Sequence, residues 1–173
     1  MKRMAEYLKV SITLALVCGV VTLLLSYVYS VTNPIITKRN EEKATKLCRE
    51  VLDSESFSVV PVPEGMENIT MIYEASSGGY VFAATGNGYG GTLTVMVGVR
   101  DSVVTGTAVL SSSETEGIGT KVQDSSFSER FKGVGSDDVS SVDVIAGATR
   151  SSNAYKNAVK AAIRAYGEME AAK

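Results

Sequence analysis

This 173-residue chain has no histidine and no tryptophan, and it carries only two cysteines and three prolines. Without histidine there is no His-based catalytic triad, no histidine metal ligand and no imidazole acid–base chemistry. Two thiols are too few for an iron–sulfur cluster. Cys18 lies in an apolar stretch and Cys48 in a helical pattern, so they read neither as a Cys-x-x-Cys site nor as a disulfide. No nucleophile elbow is present either, which disfavours a hydrolase. The net charge of −2 gives no basic surplus for nucleic acid. No metal site and no residue for independent catalytic turnover is predicted.

What is present begins with an apolar run. No charged residue occurs from Val10 to Thr37, and Val10 to Tyr29 is rich in Leu, Val and Ile. That length suffices to cross the hydrocarbon layer as one helix. Tyr27 and Tyr29 suit the interface at its far end. A cleaved signal would have a shorter apolar region and a small-residue cleavage site, so a retained anchor over residues 10–31 is expected. Lys2, Arg3 and Lys9 precede it, which predicts a cytoplasmic N-terminus over residues 1–9 and an extracytoplasmic remainder. Lys38 and Arg39 on the far side work against that polarity.

Asn33-Pro34 fits a helix start, with Asn33 as cap and Pro34 in the first turn. A separate juxtamembrane helix over residues 33–53 is therefore expected, with Ala44, Leu47, Cys48, Val51 and Leu52 on one face. It could act as a spacer or simply pack on its own domain. The remainder, residues 54–173, reads as one small α+β domain with a mainly antiparallel sheet and flanking helices. Ser58–Val62 is extended, with Pro61 pointing to an edge. Ile69–Glu74, Tyr80–Ala84, Thr92–Val97 and Val103–Leu110 alternate as a meander. Phe127–Phe131 fits a short helix, and Tyr155, Ala158, Val159, Ala162, Ile163, Tyr166 and Met169 form a core-facing helical stripe.

Three small-residue stretches carry the candidate chemistry. Gly86-Asn-Gly-Tyr-Gly-Gly91 contains Gly-x-Gly-x-x-Gly, but a β-branched strand follows it, so it is a hairpin connection and not a dinucleotide fingerprint. In Glu114-Thr-Glu-Gly-Ile-Gly-Thr120, Gly117 and Gly119 let the backbone approach a flat ligand. There Ile118 can pack on a ring, while Thr115 and Thr120 can reach its polar edge. A flexible polar loop fits the same residues. Asp143-Val-Ile-Ala-Gly-Ala-Thr149-Arg-Ser-Ser152 leads from an apolar run into a helix. Gly147 and Ala148 remove bulk beside the Thr149 hydroxyl, and the helix start suits a phosphate. Ser151 and Ser152 can cap that start or donate to a phosphate oxygen. An ordinary strand-to-helix turn fits this stretch too.

Taken in order, these stretches resemble a known family. Asp143 to Ser151 is similar to the flavinylation motif Asp-x-x-Ser/Thr-Gly-Ala-Thr/Ser-x-Ser/Thr, with Ala146 at the usual Ser/Thr position. Glu114 to Lys121 resembles the segment Glu-Thr-Pro-Gly-Leu-Gly-Thr-Lys, with Glu116 for Pro and Ile118 for Leu. Tyr89-Gly-Gly91 and Val97-Gly-Val99 also have counterparts. This is the FMN-binding domain family found in the G subunit of the Rnf complex, an ion-translocating ferredoxin:NAD oxidoreductase. The family also includes the C subunit of sodium-translocating NADH:quinone oxidoreductase, which is usually longer than this chain.

The resemblance implies covalent FMN as a phosphoester on Thr149, installed from FAD by a flavin transferase. It places the isoalloxazine near Glu114, Thr115, Gly117, Ile118, Gly119 and Thr120, with Gly147, Ala148, Ser151 and Ser152 around the attachment point. It implies that Asp143 serves the transferase, although a turn residue capping local N–H groups fits the same position. It further implies assembly with the Rnf A, B, C, D and E subunits in a membrane, as part of a translocase that moves Na+ or H+. A flavinylated domain of another redox system, or a membrane-anchored binding module, are the alternatives.

Overall fold

The computed structural model describes residues 2–171, so position 1 of the predicted N-terminal segment and positions 172–173 of the predicted flavin domain lie outside the described residues. The chain divides into two units, one ending at Glu41 and one starting at Glu42. Helix α1 is assigned over Lys2–Val51 with Pro34 inside it. The predicted new start at Asn33-Pro34 is therefore not seen. Proline removes the donor for the Ser30 carbonyl, yet Glu41, Glu42, Ala44 and Leu47 downstream are strong helix formers and keep the helical register. Within the first unit every residue from Ser11 to Ile36 is exposed. Among the described residues this is the one helix apolar and long enough to cross a membrane. Thr22 and Ser30 return their hydroxyls to the carbonyls of Cys18 and Tyr27, so neither leaves a free donor on the apolar surface.

The second unit is built on a five-stranded antiparallel meander in the order β1-β2-β3-β4-β5. The strands are β1 (Phe57–Val60), β2 (Ile69–Ala75), β3 (Tyr80–Asn87), β4 (Thr92–Arg100) and β5 (Val103–Ser112). β1 lies at an edge, as Pro61 just beyond it requires. Strand periodicity divides the apolar residues between two faces. On one face Ile72, Phe82, Ala84, Leu93, Val95, Val97 and Val99 pack with helix α3 (Thr149–Ala171). On the other, Tyr73, Val81, Ala83 and Met96 pack with Ala44, Cys48, Val51 and Leu52 from the end of α1. Both faces of β3 are thus covered, which explains its nearly continuous buried run.

The end of α1 is also pinned by polar contacts. Thr105 Oγ1 donates to the Val51 carbonyl at 2.6 Å and Lys43 Nζ to the Leu110 carbonyl at 2.5 Å. Residues 43–51 are therefore part of the domain, which favours the packed-helix reading of this segment. Helix α2 (Ser125–Ser128) runs into a 3-10 turn over Glu129–Phe131, in place of one short helix. Phe127 and Phe131 still share a face. Their rings meet edge to face at 5.3 Å, and both pack on Tyr155 of α3, at 5.2 and 5.0 Å. The Tyr155 hydroxyl donates to Thr107 Oγ1 at 2.8 Å, which in turn donates to the Ser128 carbonyl at 3.1 Å. This cluster fixes the first turns of α3 against β5 and α2.

Candidate flavin site

The β3–β4 hairpin, the segment after β5 and the start of α3 meet at one end of the sheet. Strand pairing brings the first two together, because Leu93 at the start of β4 is opposite Ser112 at the end of β5. The Gly88 N–H donates to the Gly91 carbonyl at 2.8 Å, closing the hairpin connection that the glycine spacing predicted. After β5, the N–H groups of Ile118, Gly119 and Thr120 all converge on the Thr115 carbonyl, at 3.3, 2.9 and 3.3 Å. That curls residues 115–120 into a tight turn. Gly119 is buried at its base, and a Cβ there would sit 2.8 Å from Glu114 Cβ and 2.9 Å from Ser151 Oγ. Only glycine lets this turn lie against α3.

The third segment reverses at Gly147, whose φ of 82° falls in the left-handed region. Its neighbour Ala148 is buried and begins the helical ladder, because Ser152 N–H donates to the Ala148 carbonyl at 2.9 Å. The N–H groups of Thr149, Arg150 and Ser151 therefore precede the ladder, at the positive end of the helix dipole. Thr149 is exposed and is the first residue of α3.

Together the three segments form a pocket of about 310 Å³ lined by Tyr89, Glu114, Thr115, Ile118, Gly119, Gly147, Ala148, Arg150 and Ser151. This volume is at the lower end of the range for small-molecule sites, ~300–1,000 Å³. Ile118 and Tyr89 are 55% and 76% exposed, so an apolar and an aromatic side chain stand open at its walls. Glu114 braces the hairpin. Its Oε1 accepts from the Tyr89 N–H at 2.9 Å and its Oε2 from the Gly90 N–H at 3.2 Å.

Most of the residues predicted from the sequence converge on this pocket, and several stand outside its lining. Thr149 is adjacent to it, flanked by Ala148 and Arg150. Gly117 donates its N–H to Thr120 Oγ1 at 2.9 Å, so the Thr120 hydroxyl serves the turn. Ser152 is fully buried, and its Oγ accepts from the Ile145 N–H at 3.1 Å. It ties the loop to the helix and turns away from the pocket. Asp143 is exposed, and its main-chain carbonyl accepts from Arg130 at 3.3 Å. Tyr89 and Arg150 were not among the predicted ligands. The Gly-Tyr-Gly-Gly segment was the available signal for Tyr89, whereas Arg150 had none beyond its place at the helix start.

An FMN-binding domain model matches residues 88–164, which include every pocket-lining residue. The chain is 28% identical over 175 residues to the G subunit of the ion-translocating oxidoreductase complex of Methanosarcina acetivorans, covering 91% of this chain and 93% of that protein. It is 30% identical over 130 residues to the G subunit of the same-named complex of Aliivibrio fischeri, covering 66% of this chain and 62% of that protein's length. It is 26% identical over 165 residues to the G subunit of the proton-translocating ferredoxin:NAD(+) oxidoreductase complex of Clostridium ljungdahlii, covering 87% and 86%.

Proposed function

We propose that this chain, whose residues 88–164 match an FMN-binding domain model, is a membrane-anchored electron-transfer subunit of an ion-translocating redox complex, with FMN held covalently on Thr149. The observation that carries this reading is the convergence at the pocket. An exposed threonine hydroxyl opens a helix whose first N–H groups are outside the ladder, beside a ring-sized cavity with Tyr89 and Ile118 at its walls. The pocket suits the ring of FMN and the helix start suits its phosphate.

Bound FMN would supply the one-electron chemistry. The protein holds and orients it. Thr149 Oγ accepts the FMN phosphoryl group from FAD on a flavin transferase. The Oγ–P bond forms, the bridging P–O bond breaks, AMP leaves and the hydroxyl proton passes to a base of the transferase. A tether of this kind keeps the effective concentration high without a deep noncovalent site, which agrees with the small, open pocket. Ile118, Tyr89 and the turn over residues 115–120 bound the ring. Asp143, exposed and six residues before the acceptor, is available to the transferase. The apolar part of α1 spans the membrane. Lys2, Arg3 and Lys9 keep the N-terminus in the cytoplasm, so the flavin domain is outside and meets the other subunits of an Rnf-type complex there.

Intact mass and in-gel flavin fluorescence test this, on wild type and Thr149→Val co-expressed with the transferase. The expected result is a wild-type gain equal to FMN less water, absent from the variant. A wild-type chain without that gain, beside a second substrate that the same transferase does label, would remove covalent flavin from the reading.

A further inference from the structure

The Gly88–Tyr89 peptide group is gripped from two directions. Its N–H donates to Glu114 Oε1 at 2.9 Å, and its carbonyl accepts from Arg150 Nε at 3.1 Å. One peptide thus joins the β3–β4 hairpin, the turn after β5 and the first turn of α3. The two charged side chains then differ. Both oxygens of Glu114 are taken up by hairpin N–H groups. Arg150 uses Nε alone and, among the described residues, forms no ion pair. It is the one basic side chain lining the pocket. The Glu114 charge is therefore compensated by main-chain donors, while the guanidinium keeps its Nη donors for whatever occupies the cavity.

We infer that Arg150 sets the electron affinity of this site: it orients the Gly88–Tyr89 peptide at the pocket wall and supplies an uncompensated positive charge. The inference rests on the reading that FMN occupies the pocket. A ring that gains an electron gains negative charge, and a fixed cation beside it favours the reduced form. Because Arg150 is exposed, salt screens the effect.

The test uses the full chain in detergent, co-expressed with the transferase, as wild type, Arg150→Gln and Arg150→Lys. Intact mass measures loading. Titration with dithionite through mediator dyes, with dithionite oxidised as the flavin is reduced, measures the midpoint potential. In the glutamine variant the reduction equilibrium is expected to fall roughly tenfold, ~59 mV for a one-electron step. Lysine, which keeps the charge without the forked geometry, is expected to recover part of that shift. The wild-type potential is expected to fall as ionic strength rises. A fully loaded glutamine variant with wild-type potential overturns the role of Arg150 and leaves the flavin reading intact, whereas an unloaded wild type overturns both. If the glutamine variant does not fold, the wild-type salt series decides, and a flat response overturns the inference.

Discussion

Helices α1 and α3 are both rich in apolar residues, yet they find opposite environments. From Ser11 to Ile36 no residue of α1 is covered, and Leu23 is 73% exposed. In α3 a stripe from Ser151 to Tyr166 is buried, including Tyr155, Ala158, Val159 and Ala162, each fully enclosed. The difference lies in arrangement. Around α1 the apolar residues lie on every side, so a single protein face would leave part of them uncovered. In α3 they occupy one side, which a sheet face can cover. All-round apolarity calls for a lipid solvent, and one-sided apolarity calls for a protein partner.

Substitutions that act on one helix and spare the other sharpen this contrast. The largest effect is expected for Tyr155→Ala, which empties the space against which both Phe127 and Phe131 pack. It should cost about 3–5 kcal/mol in denaturant unfolding while leaving membrane fractionation unchanged. A variant as stable as wild type would mean that α3 does not anchor the core. Val20→Arg is the reciprocal change. A charge at mid-helix costs about 2.5–3.5 kcal/mol of insertion. The protein should shift towards the carbonate-extractable fraction, and the unfolding midpoint of the domain should stay constant.

A pair of glycines makes a finer version of the same test. A Cβ at Gly119 would meet Glu114 and Ser151, whereas one at Gly19 meets nothing within 4 Å. Gly119→Ala should lose about 1–3 kcal/mol and load less flavin. Gly19→Ala should be neutral or slightly favourable to α1, by up to about 1 kcal/mol. Equal behaviour of the two would contradict the close packing of the turn on α3.

The smallest effect concerns Tyr155→Phe, which keeps the ring and removes the hydrogen bond to Thr107, worth about 1 kcal/mol. Burial raises the Tyr155 phenol above its ordinary range, and the bond to Thr107 only partly opposes this. The folded state therefore favours the neutral phenol. Its contribution is complete below the unfolded-state pKa, about 10, and declines as pH rises past that value while the unfolded chain ionises. Stability measured from pH 9 to 11 should fall less steeply in the phenylalanine variant than in wild type.

Much of the fold was legible from local patterns. Alternation across Thr92–Val97 and the stripe from Tyr155 to Tyr166 are properties of neighbours two, three or four residues apart, and packing followed them. Asn33-Pro34 misled because a proline in the first turn of one helix and a proline inside a longer helix look alike locally. The site was legible where it is written in small residues, at Gly119, Gly147 and Ala148. It was obscure where it depends on which partner a polar side chain finds. Ser151 and Ser152 are adjacent and chemically identical, yet Ser151 lines the pocket while Ser152 bonds Ile145 in the interior. The helical turn, about 100° per residue, separates them.

The sequence alone determined an all-round apolar helix, a meander of alternating strands and a final amphipathic helix, because hydrophobic periodicity is a short-range property. It also supplied the exposed threonine at a helix start and the glycines that permit close approach. Only the tertiary structure decided that Glu114 and Arg150 would grip opposite ends of the Gly88–Tyr89 peptide, across separations of 25 and 62 residues. Such contacts depend on the register of every strand between them and on how α3 packs across the sheet, and no local pattern encodes that sum.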